Sequence, residues 1–139
     1  MSLNIIALIA ASVAQFVVGA VWYTFLFGNL WGKMHGFDKL PKSTQEKMMK
    51  AMPPIYAVQF VITMIMTGVL AYLMHIVPPT INPYVLAFWL WVGFIVPAQA
   101  SAALFGGAEE KWVTTKIAVQ AGASLLSLEV AALVLQVLS

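Results

Sequence analysis

Few side chains in this chain can do chemistry, and most of those lie in apolar surroundings. Glu129 is the one ionisable residue well inside a hydrophobic stretch, and Gln15, Gln59, Gln99 and Gln120 place one amide in each of four such stretches. A carboxyl in hydrocarbon can exchange a proton or a cation, and amides can hydrogen-bond a polar solute. These five residues therefore outline a candidate path for protons or for a small polar or cationic solute. They also have a plainer use. Amides between packed transmembrane helices act as glue, each worth about 0.6 to 2 kcal/mol. Glu129 itself could stay a neutral acid bonded to a neighbour such as His75, or reach the outer interface.

Other chemistries are poorly supplied. The chain has no Cys, two His and one Asp, which removes thiolate nucleophiles, disulfides, iron–sulfur ligation and Cys-type zinc sites. Met34-His35 and Met74-His75, with Met48, Met49, Met52, Met64 and Met66, offer soft ligands for Cu(I), but methionine is a common filler of apolar helices and the two histidines fall at opposite ends of the topology derived below. Haem ligation by either histidine would need an interface site that the sequence does not display. No Ser-His-Asp set, P-loop or dinucleotide-binding motif is present. The expectation is a non-enzymatic protein without cofactor or metal.

The elements that must position these residues are unusually apolar. Of 139 residues 62% are hydrophobic and only 9% charged, where a soluble domain carries about a quarter charged residues. Seven lysines, no arginine and five acids give a net charge of +2, too little basic surface to follow nucleic-acid phosphates. Four apolar stretches remain between the charges, about 3–27, 53–77, 83–105 and 112–138. At about 1.5 Å per residue each reaches beyond the roughly 30 Å of bilayer hydrocarbon. The first stretch has no Lys or Arg before it and is too long for a signal-peptide core, so it is expected to be a retained span. The fold class predicted is all-α, an integral membrane four-helix bundle running up-down-up-down, with lipid as its solvent.

Lysines set the orientation. Lys33, Lys39, Lys42, Lys47 and Lys50 lie between the first two spans, and Lys111 and Lys116 flank the start of the fourth. All fall on one side of an alternating chain, which the positive-inside rule makes cytoplasmic, with both termini on the non-cytoplasmic side. Trp22, Tyr23, Trp31, Tyr56 and Trp112 are placed as interfacial anchors at the lysine side. Within the loop, Ser43-Thr44-Gln45-Glu46 has capping-box spacing and predicts a short amphipathic helix over about 43–52, with methionines in the interface and Lys47 and Lys50 toward anionic headgroups.

Polar stripes indicate which faces turn inward. Asn4, Ala11, Ser12, Gln15 and Gly19 share one face of the first span, Tyr56, Gln59, Thr63 and Thr67 one of the second, and Gln99, Ala103 and Gly106 one of the third. Helical rise puts Gln59, Gln99 and Gln120 at about 10 Å depth and Gln15 deeper, so a shared glutamine layer is geometrically allowed. The fourth span has two polar seams: Thr115, Gly122, Glu129 and Gln136 recur every seven residues, while Gln120, Ser124 and Ser127 lie nearly opposite. Neither seam can face lipid cheaply, which points to a homo-oligomer with the fourth span sandwiched between its own bundle and a neighbouring subunit. Pro97 removes a backbone hydrogen bond and frees the Gly93 carbonyl, making Gly93 and Pro97 hinge candidates.

Several short segments carry a resemblance. Gly19-Ala20-Val21-Trp22-Tyr23-Thr24 with Leu26-Phe27-Gly28-Asn29-Leu30-Trp31, then Gln59-Phe60, Val69-Leu70-Ala71-Tyr72-Leu73, Trp91-Val92-Gly93-Phe94 with Pro97, Leu104-Phe105, Gln120-Ala121-Gly122 and Ser127-Leu128 resemble the bacterial membrane family called domain of unknown function seventeen sixty-one. The resemblance implies a four-span protein of the bacterial inner (plasma) membrane and brings no activity, ligand or site residue with it. Two functions stay open: a small channel or transporter using the candidate path, or a structural or accessory subunit whose polar seams contact a larger membrane protein. The first is marginally favoured.

Overall fold

A computed structural model describes residues 4–107 and 109–139. Four helices are long and apolar enough to cross a membrane, Ile5–Leu26, Met52–Ile76, Pro83–Phe105 and Glu110–Leu138, and these are the first to fourth spans below. Among the described residues there is no strand. Side chains such as Phe25, 81% exposed, and Phe105, 90% exposed, stand on the outer faces, where only an apolar solvent accommodates so much uncovered hydrocarbon. The all-helical, four-span architecture expected from the apolar stretches is therefore the one adopted.

The chain ends of the bundle lie together. Asn4 caps the first span by accepting from the Ile6 and Ala7 backbone N–H groups (2.9 and 3.4 Å), and its Nδ2 donates to the Leu138 carbonyl at the end of the fourth span (3.1 Å). One side chain thus satisfies orphan groups at two opposed helix termini. The lysine-bearing segments consequently share the far end of the bundle.

The fourth span is the axis of the packing. It lies against the first span on one side and the third on the other, while the second packs chiefly on the first, giving the spatial order second, first, fourth, third. Near the termini the row closes around a small-residue core: Ala7 and Ala11, Leu70, Ala71 and Met74, Ala87, and Leu128, Ala131, Ala132 and Leu135, contributed by all four spans. Alanines let the backbones approach closely, the usual device where no hydrophobic effect drives helices together. Contact between the second and third spans is confined largely to Pro83–Leu90, next to the turn that joins them.

Two spans contain a π-helical turn, over Val21–Leu26 in the first and Trp91–Ile95 in the third. Each is marked by a hydrogen bond reaching five residues back, from the Phe27 N–H to the Trp22 carbonyl (2.9 Å) and from the Val96 N–H to the Trp91 carbonyl. The break required at Pro97 is taken up by the second of these turns, directly ahead of the helix Val96–Phe105 that contains the proline. The Gly93–Pro97 hinge candidate thus coincides with a π turn.

The loop between the first two spans holds a short helix Gly28–Met34, a 3₁₀ turn Phe37–Lys39 entered through Gly36 at φ 72°, and a helix Lys42–Lys50. The capping box does not form. This last helix begins behind Pro41, so Ser43 already has helical backbone and no side chain caps the terminus. Gln45 instead donates to the Phe37 and Leu40 carbonyls (2.9 and 3.2 Å), tying the helix to the turn before it.

Candidate functional site

The polar residues inside the spans form two separate groups. The first joins the first span to the second. Gln15 Nε2 donates to Thr67 Oγ1 (2.6 Å) and to the Ala11 carbonyl (3.2 Å), and Thr67 Oγ1 donates to the Thr63 carbonyl (2.6 Å). Thr63 Oγ1 in turn donates to the Gln59 carbonyl (2.9 Å) and accepts from Gln59 Nε2 (3.4 Å). Spacing four residues apart puts Gln59, Thr63 and Thr67 on one stripe of the second span, as the sequence pattern requires. Thr63 and Thr67 are buried, whereas Gln59 is exposed and bonds only along its own helix. Phe16 flanks the string, edge-on to Tyr56 and Phe60 (ring centroids 6.2 and 5.8 Å).

The second group grips the fourth span from both sides. From the first span, Trp22 Nε1 donates to the Val119 carbonyl (2.9 Å). From the third, Trp91 Nε1 donates to the Ala121 carbonyl (2.8 Å) and lies 3.2 Å from Ser124 Oγ, which donates to Gln99 Oε1 (3.2 Å). Both indoles therefore bond to backbone carbonyls two residues apart on one helix. Both also belong to the residues whose own carbonyls accept the π-type bonds. The wider turn reorients each tryptophan relative to a regular helix, which is a recurrent use of π bulges.

Gly122 makes the first grip possible. A methyl group placed there would come within 2.7 Å of Trp22 Cζ2 and 3.0 Å of Cη2, so the indole occupies the space where a side chain would be. The seam containing Gly122, expected to meet a neighbouring subunit, is thus covered at this level by the chain's own first span. The opposite seam is covered at Ser124 by the third span. At these two levels the fourth span lies between the first and third spans of its own chain, whereas Thr115, Glu129 and Gln136 stay half-buried or exposed.

The glutamine layer that helical rise allows is not joined by hydrogen bonds among the described residues. Gln15 bonds in the first group and Gln99 in the second, Gln59 turns along its own helix, and no hydrogen bond joins any two of Gln15, Gln59, Gln99 and Gln120 among the described residues. Gln120, Thr115 and Glu129 are half-buried and Gln136 is exposed. No ion pair or side-chain hydrogen bond reaches Glu129 among the described residues, and His75 is exposed near the end of its helix rather than bonded to it. Helical rise puts Glu129 about 25 Å above Trp112, close to the boundary at the chain-end side.

Trp22, expected as an interfacial anchor, has its N–H bonded to the Val119 carbonyl. Tyr23 and Trp31 pack edge to face (4.9 Å), Trp31 stacks on His35 (4.5 Å), and the Lys116 ammonium lies 5.8 Å from the Trp31 ring centroid. Lys111 similarly sits 5.5 Å from the Trp112 ring. Sequence reasoning passed over Trp91 as a site residue and over Thr67 and Ser124 as specific partners. Their signal was present in the stripes, but a stripe names a face and not the neighbour that it meets.

Four apolar spans with their interhelical bonds inside define a multi-pass membrane protein. Residues 6–136 match the family described as "Protein of unknown function (DUF1761)", and the chain belongs to that family. No curated protein and no solved structure matches it.

Proposed function

We propose that this chain is a non-enzymatic subunit of the bacterial inner membrane that acts by lateral association with a larger membrane protein, with its lysine-bearing loops cytoplasmic and both termini outside. One observation carries the reading: the polar side chains within the spans serve the chain's own helix contacts. Ser12, Gln15, Thr63 and Thr67, the buried polar residues among those described, each hold a hydrogen bond inside the chain, and the fourth span is engaged at Gly122 by Trp22 and at Ser124 by Trp91 with Gln99. A conducting path needs such groups turned toward a solute instead. The amides and acid left over, Gln59, Gln120, Glu129 and Gln136, lie on exposed or half-exposed positions. In hydrocarbon an exposed amide such as Gln59 favours a protein neighbour, which makes it the contact position for a partner, with Glu129 and Gln136 near the chain-end boundary available beside it.

Native mass spectrometry of the protein gently extracted from its own membrane tests this. A stable complex with a different, larger membrane protein, weakened by Gln59→Leu, is the expected result. Proton or cation flux through the purified protein in liposomes, lost on Glu129→Gln, would overturn it in favour of a transport path.

A further inference from the structure

The helix Lys42–Lys50 leaves nearly all of its surface uncovered, and its two faces differ. At 100° per residue Met48 and Met49 lie toward one side of the helix and Lys47 and Lys50 toward the other, with Lys42 next to Met49. Met48 and Met49 are 46% and 61% exposed. Because Ala51 alone separates this helix from the second span, it cannot lie far from the bilayer surface. The loop carries five lysines against Asp38 and Glu46, and Lys111 and Lys116 enter the fourth span at the same end.

A recess adds a second observation. Between the 3₁₀ turn and the helix lies an open cavity of about 410 Å³, lined by Phe37, Lys42, Gln45, Glu46, Met49 and Lys50. Its lining is mostly apolar, with Phe37 and Met49 on the walls and Glu46 placed between Lys42 and Lys50, and the Gln45 bonds to the Phe37 and Leu40 carbonyls hold the two sides together. Hydrocarbon beside a net positive charge, three lysines against Glu46 on this helix, is the pattern of an anionic amphiphile, not of a free anion or an acidic peptide, whose binding would make no use of the exposed methionines.

We propose that the helix Lys42–Lys50 and the recess beneath Phe37 form a docking surface for anionic phospholipids, with headgroup phosphate oxygens accepting from Lys42, Lys47 and Lys50 while Met48 and Met49 enter the acyl boundary. Lysine stems lie along the apolar border and carry their ammonium groups to phosphate depth. This surface is independent of the partner contact proposed above and rests only on the four spans crossing a bilayer.

The test titrates the full-length protein in mild detergent with phosphatidylglycerol or phosphatidylcholine of matched chains and counts bound lipid by native mass spectrometry. The wild type is expected to retain phosphatidylglycerol preferentially, and K42Q/K47Q/K50Q to reduce that preference by about fivefold per lysine removed. Lys111→Gln, at a lysine already paired with Glu109 (3.5 Å), serves as the charge control and should leave the preference nearly unchanged. M48Q/M49Q should weaken retention of both lipids, since it removes the apolar contribution. Unaltered tryptophan fluorescence shows that these exposed substitutions leave the fold intact. Equal retention of the two lipids by the wild type, an unchanged preference in the triple-lysine variant, or full competition by millimolar inorganic phosphate would each overturn the proposal.

Discussion

Replacing Gly122 by alanine strikes the contact between Trp22 and the fourth span with the smallest possible change. The added methyl would sit 2.7 Å from Trp22 Cζ2, and the ring cannot simply swing away, because its Nε1 is held by the Val119 carbonyl at 2.9 Å. Overpacking of this kind costs about 1 to 3 kcal/mol. Loss of the indole bond adds about 0.6 to 2 kcal/mol. Alanine's better helix propensity returns at most about 1 kcal/mol, leaving a net destabilisation of about 2 kcal/mol. Trp22→Phe removes the far half of the indole together with its N–H, so Gly122→Ala should do little further harm in that background. The pair is therefore expected to be coupled by about 1 to 2 kcal/mol in a double-mutant cycle. Reversible unfolding by SDS in mixed micelles, followed through the remaining tryptophans, gives the four stabilities. Additive effects, or a neutral Gly122→Ala with Trp22 in place, would refute the grip.

Other substitutions test the remaining contacts. Thr67→Val keeps the shape but leaves Gln15 with only its Ala11 bond, and the same assay should register a loss of about 1 kcal/mol, largely restored by Thr67→Ser. Pro97→Ala should destabilise the protein although it removes a helix breaker, because a regular helix in place of the π turn would draw Trp91 away from Ala121; a gain in stability would contradict this. Single cysteines at Ser43 and Ser139 should label from opposite sides of sealed inverted vesicles, Ser43 from the outside of such vesicles and Ser139 only after permeabilisation. Labelling of both from one side would sink the proposed orientation.

The span limits were legible because charge marks them. The stretches 3–27, 53–77, 83–105 and 112–138 differ from the helices Ile5–Leu26, Met52–Ile76, Pro83–Phe105 and Glu110–Leu138 by at most two residues at either end. Face assignment was legible in part: Gln15, Thr63, Thr67 and Ala103 are buried, as their stripes indicate, but Gln59 on the same stripe is exposed. Periodicity reports rotation about one helix axis and carries nothing about the order of the helices around each other. Hence the fourth span's two seams suggested a second subunit, and the order second, first, fourth, third supplies neighbours from one chain at Gly122 and Ser124. Pro97 marked the break in the third span, but the π turn of the first span was hidden for a related reason. Val21–Leu26 has no proline or other local breaker, and its wider turn is favoured only once Trp22 has Val119 and Gly122 to settle against.

A helix that gains a π turn is a screw whose thread has slipped by one residue, so its two parts run out of phase by about 100°. The first span is therefore keyed to different neighbours above and below Val21. Its terminal half sets Ala7, Ala11 and Gln15 against the other spans, and its lysine-side end sets Trp22 against Gly122. Deleting one residue between Val21 and Leu26 would let an unbroken α-helix form at no local penalty. Straightening the turn with every residue kept would instead rotate everything from Trp31 to the loop helix by about 100° relative to the fourth span, so that the position of the lysine-bearing surface is dictated by a single residue's worth of slack inside the membrane.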